Sequence, residues 1–170
     1  MTPESVLRSF RLKFGRSVRK GRVQKIPHKG KRLNHLKRVW FEIDRSLLGK
    51  AVGHLCKEYP DPHFSVCSGY DAGRNIVLNY HFTVNYAHRE GEIVLTMRVS
   101  IPKRDPIVET ITGLIPGALI TEREMQEMLG VKVRGIPDSR RLFLDESIPK
   151  GVFPWRRDET GPDKLIRRTN

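Results

Sequence analysis

Residues 76–86 read Ile-Val-Leu-Asn-Tyr-His-Phe-Thr-Val-Asn-Tyr, and residues 93–101 read Ile-Val-Leu-Thr-Met-Arg-Val-Ser-Ile. In the first stretch Ile76, Leu78, Tyr80, Phe82, Val84 and Tyr86 share one side of a period-two repeat, against Asn79, His81, Thr83 and Asn85. In the second, Ile93, Leu95, Met97, Val99 and Ile101 alternate with Thr96, Arg98 and Ser100. Strands patterned this way bury one face and leave the other wet, as antiparallel sheets do. Phe64–Tyr70 completes a three-strand meander, with turns at Asp71-Ala72-Gly73 and Arg89-Glu90-Gly91.

Upstream, Val39–Ile43 is a β-branched and aromatic run. The face Leu47, Leu48, Ala51, Val52, Leu55, Cys56 and Tyr59 that follows has helical spacing, and Pro60 and Pro62 stop it. Downstream, Thr121-Glu122-Arg123-Glu124 has the form of a capping box, so a helix is expected from Glu122 to a left-handed stop at Gly130. At the other end, Thr2-Pro3 with Val6, Leu7, Phe10 and Phe14 forms a short amphipathic helix. The expected fold is α+β: an antiparallel or mixed sheet with helices on one face, followed by a long extended C-terminal tail.

Of 170 residues, 32 are Lys or Arg and 19 Asp or Glu. Residues 1–38 hold 13 of the bases and one acid, Glu4, so the rest of the chain is nearly neutral. Gly15–Arg38 lacks apolar periodicity and reads as a loop or mobile arm carrying Arg16, Arg19, Lys20, Arg22, Lys25, Lys29, Lys31 and Arg32. The expected divisions are 1–38 for the helix and basic arm, 39–130 for the α+β domain, and 131–170 for the tail. In the tail Leu142-Phe143-Leu144, Ile148, Val152-Phe153 and Trp155 are too apolar for solvent, so it reads as laid over another protein.

No stretch is long and apolar enough to span a bilayer or to form a signal-peptide core. Cys56 and Cys67 lack metal-ligand spacing and read as free thiols; the six histidines form no metal motif, and phosphate-loop and nucleophile-elbow motifs are missing. Glu124 and Glu127 are close enough on one helix to share a proton, yet capping, dipole compensation and arginine pairing account for the Glu122, Glu124 and Glu127 cluster more simply. Arg140-Arg141 and Arg156-Arg157-Asp158 sit among apolar residues, which suits guanidinium forks gripping carboxylates or backbone carbonyls.

Glu122-Arg123-Glu124, Glu127-Met128-Leu129, Pro137-Asp138, Arg140-Arg141-Leu142 and Pro154-x-Arg156-Arg157-Asp158, in that order, resemble the signature of the complex I 30 kDa family. Asp105-Pro106 and Pro116-Gly117-Ala118 agree with it, so the resemblance runs from about Pro102 to Asp158. Ile136 before Pro137-Asp138, Ile115 before Pro116-Gly117, and Asp158-Glu159-Thr160 depart from the respiratory pattern. They bring the chain nearer to short homologues in membrane-bound hydrogenase and sulfur reductase complexes.

The resemblance implies a subunit without catalytic site, metal or cofactor of its own, peripheral on the cytoplasmic side of the cell membrane. Its implied partners are a large catalytic subunit of the 49 kDa or hydrogenase large-subunit type, iron-sulfur subunits and membrane-arm subunits. Iron-sulfur clusters, with NiFe as a candidate centre, would reside in those partners. Glu122, Arg123, Glu124, Glu127, Arg140, Arg141, Arg156, Arg157 and Asp158 would form interface ion pairs, and the basic arm would meet anionic lipid or an acidic subunit. The rival reading is a nucleic-acid- or ribosome-associated protein whose arm neutralises about six phosphates, with a log–log salt slope of about −5.

Overall fold

The computed structural model describes residues 1–27, 35–86 and 91–165. Lys29, Lys31, Arg32 and the expected turn at Arg89-Glu90 lie outside them. Helix α1 (Pro3–Phe14) begins as expected, with the Thr2 side chain accepting from the Ser5 N–H and Pro3 in the first turn. Strands β1 (Arg19–Pro27) and β2 (His35–Glu42) follow, then α2 (Leu48–Glu58) and the meander β3 (His63–Ala72), β4 (Asn75–Val84) and β5 (Ile93–Pro102). Helix α3 (Leu119–Leu129) comes next, and two short strands, β6 (Ile107–Glu109) and β7 (Lys132–Arg134), pair in parallel on either side of it in sequence.

The main sheet has the order β1-β2-β5-β4-β3. All its pairings are antiparallel except β2–β5, so the sheet is mixed. Register explains why one face is the core. Phe41 lies beside Met97, Met97 opposite Tyr80, and Tyr80 opposite Cys67, and all four are fully buried. The Phe10 ring of α1 packs 4.8 Å from Phe41, and Leu48, Ala51, Val52 and Leu55 of α2 join the same cluster. Met125 and Leu129 of α3 pack over Gly69, where an added Cβ would stand 2.7 Å from each of them and from Leu78. All three helices therefore cover the same face of the sheet, as the strand alternation requires.

Two expectations fail. The segment expected to be a mobile arm contains a nine-residue strand, β1, paired with β2 along its length. Only Gly21 and Val23 of β1 are shielded from solvent, so its order comes from backbone pairing rather than from an apolar face. A bulge between Arg19 and Arg22, with Lys20 at φ 49°, bends the strand, and Gly21 lets Leu7 and Arg11 of α1 lie against its backbone. The second failure is the capping box. The turn at Pro116–Ala118 runs straight into α3, so Thr121 is already helical; its hydroxyl donates to the Ala118 carbonyl and accepts from the Cys67 N–H. Gly130 does end the helix, at φ 67°.

Candidate functional site

Helix α3 carries four of the nine charged residues assigned to an interface, and the structure turns Glu122, Arg123 and Glu127 inward. Glu122 is fully buried; its carboxylate accepts from the Thr110 hydroxyl, from the Ile111 N–H at 3.0 Å and from the Tyr80 hydroxyl at 3.4 Å. Burial raises its pKa, and these three hydrogen bonds only partly offset that. The Cys67 thiol beside it is pushed up by burial and by the Glu122 charge. Glu122 thus ties the Thr110–Thr112 segment to β4.

Arg123 and Glu127, four residues apart, lie on another side of α3 and hold the tail between them. The Arg123 guanidinium donates to the Arg140 carbonyl at 3.0 and 2.8 Å and to the Arg141 carbonyl at 3.1 Å. One Glu127 oxygen accepts the Leu142 N–H, and the other accepts the Phe143 N–H at 2.8 Å. A cation takes two carbonyls and an anion takes the next two amides, so an irregular backbone is fixed without strand or helix pairing. With both oxygens committed, Glu127 does not form the proton-sharing pair with Glu124. Glu124 is half-buried on the same helix.

Further along, Arg156 is buried and donates to the Leu129 carbonyl at 2.6 Å, which places a cation at the carbonyl end of α3. The Trp155 N–H donates to the Met128 carbonyl. At Gly130 a side chain would collide with the Phe153 ring, 2.5 Å from an added Cβ. Lys103 bridges Asp158 and Asp71, and Asp71 also accepts the Arg157 N–H at 2.8 Å. Burial works against the Lys103 charge, but its bonds to Asp158 and Asp71 outweigh it and raise the ammonium pKa. Burial likewise opposes ionisation of Asp158, yet Lys103 and Thr160 hold its carboxyl well below the usual range.

The remaining candidates face solvent. Arg140 forks onto Asp138, and its guanidinium holds that carboxyl well below the usual carboxylate range while remaining 85% exposed. Arg141 donates to the carbonyls of Asp145 and Ile148, and the Arg157 side chain is exposed. Around them Phe143 is 55% exposed, Trp155 42% and Leu142 38%. The described part of the tail is thus fastened by Arg123, Glu127, Arg156 and the Lys103 bridge, with an arginine and aromatic surface outward.

Of the expected basic arm, Arg19 pairs with Asp44, Lys20 with Glu42 and Lys25 with Glu4. Arg16 lies in the turn after α1. Both cysteines are free thiols. Among the described residues no group of three His, Cys, Asp or Glu stands close enough to hold a metal ion, and no helix is long and apolar enough to cross a membrane.

One arrangement with a catalytic look was not legible in the sequence. Ser9 Oγ lies 2.8 Å from His54 Nε2, and Glu58 Oε1 lies 3.9 Å from His54 Nδ1. Ser9 sits inside α1, where backbone N–H groups are committed to the helix ladder and cannot form an oxyanion hole. The 3.9 Å separation is too long for the hydrogen bond that orients a triad histidine. The trio joins α1 to α2, and burial lowers the His54 pKa.

Comparison with known proteins agrees with this geometry. Residues 41–164 match the family described as respiratory-chain NADH dehydrogenase, 30 Kd subunit. That match begins well before Pro102 and takes in the end of β2, α2 and the meander. The chain is 32% identical over 131 residues to the membrane-bound hydrogenase subunit beta of Pyrococcus furiosus, covering 76% of this chain and 75% of that protein. It is 33% identical over 84 residues to formate hydrogenlyase subunit 5 of Escherichia coli, of which it spans 15%. Its fold matches a chain of the membrane-bound sulfane sulfur reductase, an archaeal respiratory membrane complex, with TM-score 0.64 at 16% identity over 89% of this chain and 81% of that one. The matched residues hold α2, the meander, α3 and the tail that α3 fastens, so the chain belongs to the 30 kDa subunit family of respiratory-chain NADH dehydrogenase.

Proposed function

We propose that the chain is a non-catalytic, cofactor-free scaffold subunit in the peripheral arm of a complex I-like energy-converting membrane oxidoreductase of membrane-bound hydrogenase or sulfur reductase type. In this reading it sits on the cytoplasmic side of the membrane and holds the large catalytic subunit near the iron-sulfur and membrane-arm subunits. Iron-sulfur clusters, and a NiFe centre in the hydrogenase case, belong to those partners. Electron transfer coupled to ion translocation is then a property of the assembly.

The observation that carries the reading is the use of charge at α3. Glu122, Arg123 and Glu127 are buried and bond the backbone of the non-helical segments around Ile111, Arg140 and Phe143, while buried Arg156 reaches from the tail to the carbonyl end of α3. A buried charge is costly unless fully bonded, and here it fixes a tail that leaves Leu142, Phe143 and Trp155 substantially exposed. Aromatic and arginine side chains on a rigid support are the groups that dominate protein interfaces. We assign Arg140, Arg141, Arg157 and these apolar residues to contact with the large subunit, where the tail lies extended over its surface. Glu122, Arg123, Glu124, Glu127, Arg156 and Asp158 fix the register of that contact from beneath.

The test is affinity purification of the tagged chain from detergent-solubilised native membranes, with high-salt and nuclease washes, followed by mass spectrometry. The expected result is stoichiometric recovery of a large catalytic subunit, iron-sulfur subunits and antiporter-like membrane subunits. Recovery in the soluble fraction with nucleic acid that dissociates as salt rises would overturn the reading and give the function to the basic N-terminal segment.

A further inference from the structure

The sheet has a second face, away from the three helices. Across it Arg22 lies opposite Trp40, Trp40 beside Thr96, and Thr96 opposite His81, so one row of side chains crosses four strands. Arg38 lies one step along the same face, opposite Gln24. Together they line a trough of about 460 Å³. Its floor is fixed: His81 engages the Ser68 hydroxyl at 2.9 Å and the Thr96 hydroxyl at 3.1 Å through its two ring nitrogens. The Arg98 guanidinium stacks 4.0 Å from the Trp40 ring and donates to Asn79 at 3.2 Å, which holds the indole in place.

The rim is different. Arg22 and Arg38 are exposed, and neither meets a carboxylate among the described residues. Glu42, the acid nearest them on β2, is taken by Lys20 at 2.9 Å. The sequence from 28 to 34, between β1 and β2, contains no acid. Two guanidinium forks therefore flank a fixed indole in a depression with room for a few side chains, and the local charge is positive.

We propose that this trough is a docking site for an acidic segment of a second subunit of the same complex, with two carboxylates on Arg22 and Arg38 and an apolar side chain on Trp40. The inference rests on the scaffold reading above and extends it: the trough lies on the side of the sheet away from α3, so the chain engages two neighbours at once. Planar forks match carboxylates in two-point contact. Nucleic acid fits the site less well, because two arginines would neutralise only about two phosphates, giving a log–log salt slope of about −2, and a single indole is a short stacking platform.

A photo-crosslinking benzophenone side chain introduced at Gln24, on the trough, is compared with one at Lys57, exposed on α2. Each full-length chain is expressed in the native host, and the complex is purified from membranes before irradiation. The Gln24 position is expected to link to a co-purifying subunit at a peptide bearing at least two Asp or Glu. The double reversal Arg22→Glu, Arg38→Glu should cut that yield about tenfold or more while leaving circular dichroism and co-purification through the tail unchanged. Changing the two linked acids to Lys in the partner should restore it. A yield no higher than at Lys57, a link to nucleic acid or lipid, or indifference to the double reversal would overturn the proposal. Co-purification without a Gln24 link sinks this inference alone; failure to co-purify with any complex sinks the scaffold reading with it.

Discussion

Replacing Arg123 with Ala should open the tail locally and leave the sheet intact. The guanidinium makes three hydrogen bonds to the carbonyls of Arg140 and Arg141 and lies 3.3 Å from an Asp138 oxygen, with its side chain only 10% exposed. Hydrogen bonds to charged groups contribute about 1.5–3 kcal/mol each. The freed carbonyls can reach water if the tail lifts, so the loss is capped by the docking energy of that segment, at about 2–4 kcal/mol. That corresponds to an opening constant raised about 30- to 1,000-fold. Hydrogen exchange of the Leu142 and Phe143 amides, which donate to Glu127, reads this opening directly. Amides of Leu78 and Tyr80 in β4 should keep their protection. If exchange at Leu142 and Phe143 stayed within about twofold of the parent protein, the clamp would not be what holds the tail. Equal loss of protection in β4 would refute the local character of the opening.

Gly69→Ala should cost about 1–3 kcal/mol, because the new methyl would meet Leu129, Leu78 and Met125 at 2.7 Å in a packed interface. An unchanged urea midpoint would contradict the close seating of α3 on β3. Acid should release the end of the tail. Burial raises the Asp71 pKa, but the bonds from Lys103, Arg157 and Gly73 outweigh it, so it lies below the unfolded 3.8, as does that of Asp158. The stabilisation these carboxylates give is complete above that value and is lost as pH falls through their folded pKa values. Protection of the Arg157 amide should therefore fall below about pH 4, whereas a Lys103→Ala variant, lacking the bridging ammonium, should show weaker protection already near neutrality; an amide equally protected at both pH extremes in both proteins would count against the bridge. Arg140→Ala should leave the melting temperature unchanged, since the side chain is exposed, yet lower recovery of the large subunit from membranes. Recovery equal to that of the parent would end its anchoring role.

The meander, α1, α2 and the stop at Gly130 were legible because each rests on a local rule: alternation for β3–β5, a capped amphipathic face for α1, a left-handed glycine for α3. Strand β1 was not, because an edge strand with Lys and Arg on both sides is ordered by its neighbour's backbone and leaves Val23 alone packed against the core, too little for a period-two pattern. The parallel union of β2 with β5 was equally silent, since Lys37–Glu42 and Ile93–Arg98 carry nothing that names each other. The capping box misled because four residues fit the pattern while Pro116-Gly117-Ala118 had already started the turn. The charged residues of α3 were found by motif, but their direction was not. A glutamate aimed at solvent and one bonded to the Leu142 and Phe143 amides look alike until the tail folds back.

The tail's return to β3 also sets an order in time. The Arg157 N–H that bonds Asp71 lies 86 residues further along the chain, and the Lys103 bridge needs Asp158 as well. On a translating ribosome the meander can pair, and α3 can settle on Gly69, while this last anchor is still unmade. The outward display of Arg140, Phe143 and Trp155 is therefore completed late, after the sheet that supports it has had time to fold. On the tail side, a nascent chain therefore offers the large subunit little to grip until the supporting sheet and α3 can bear the load, whereas the trough on the opposite face is complete as soon as β5 has paired.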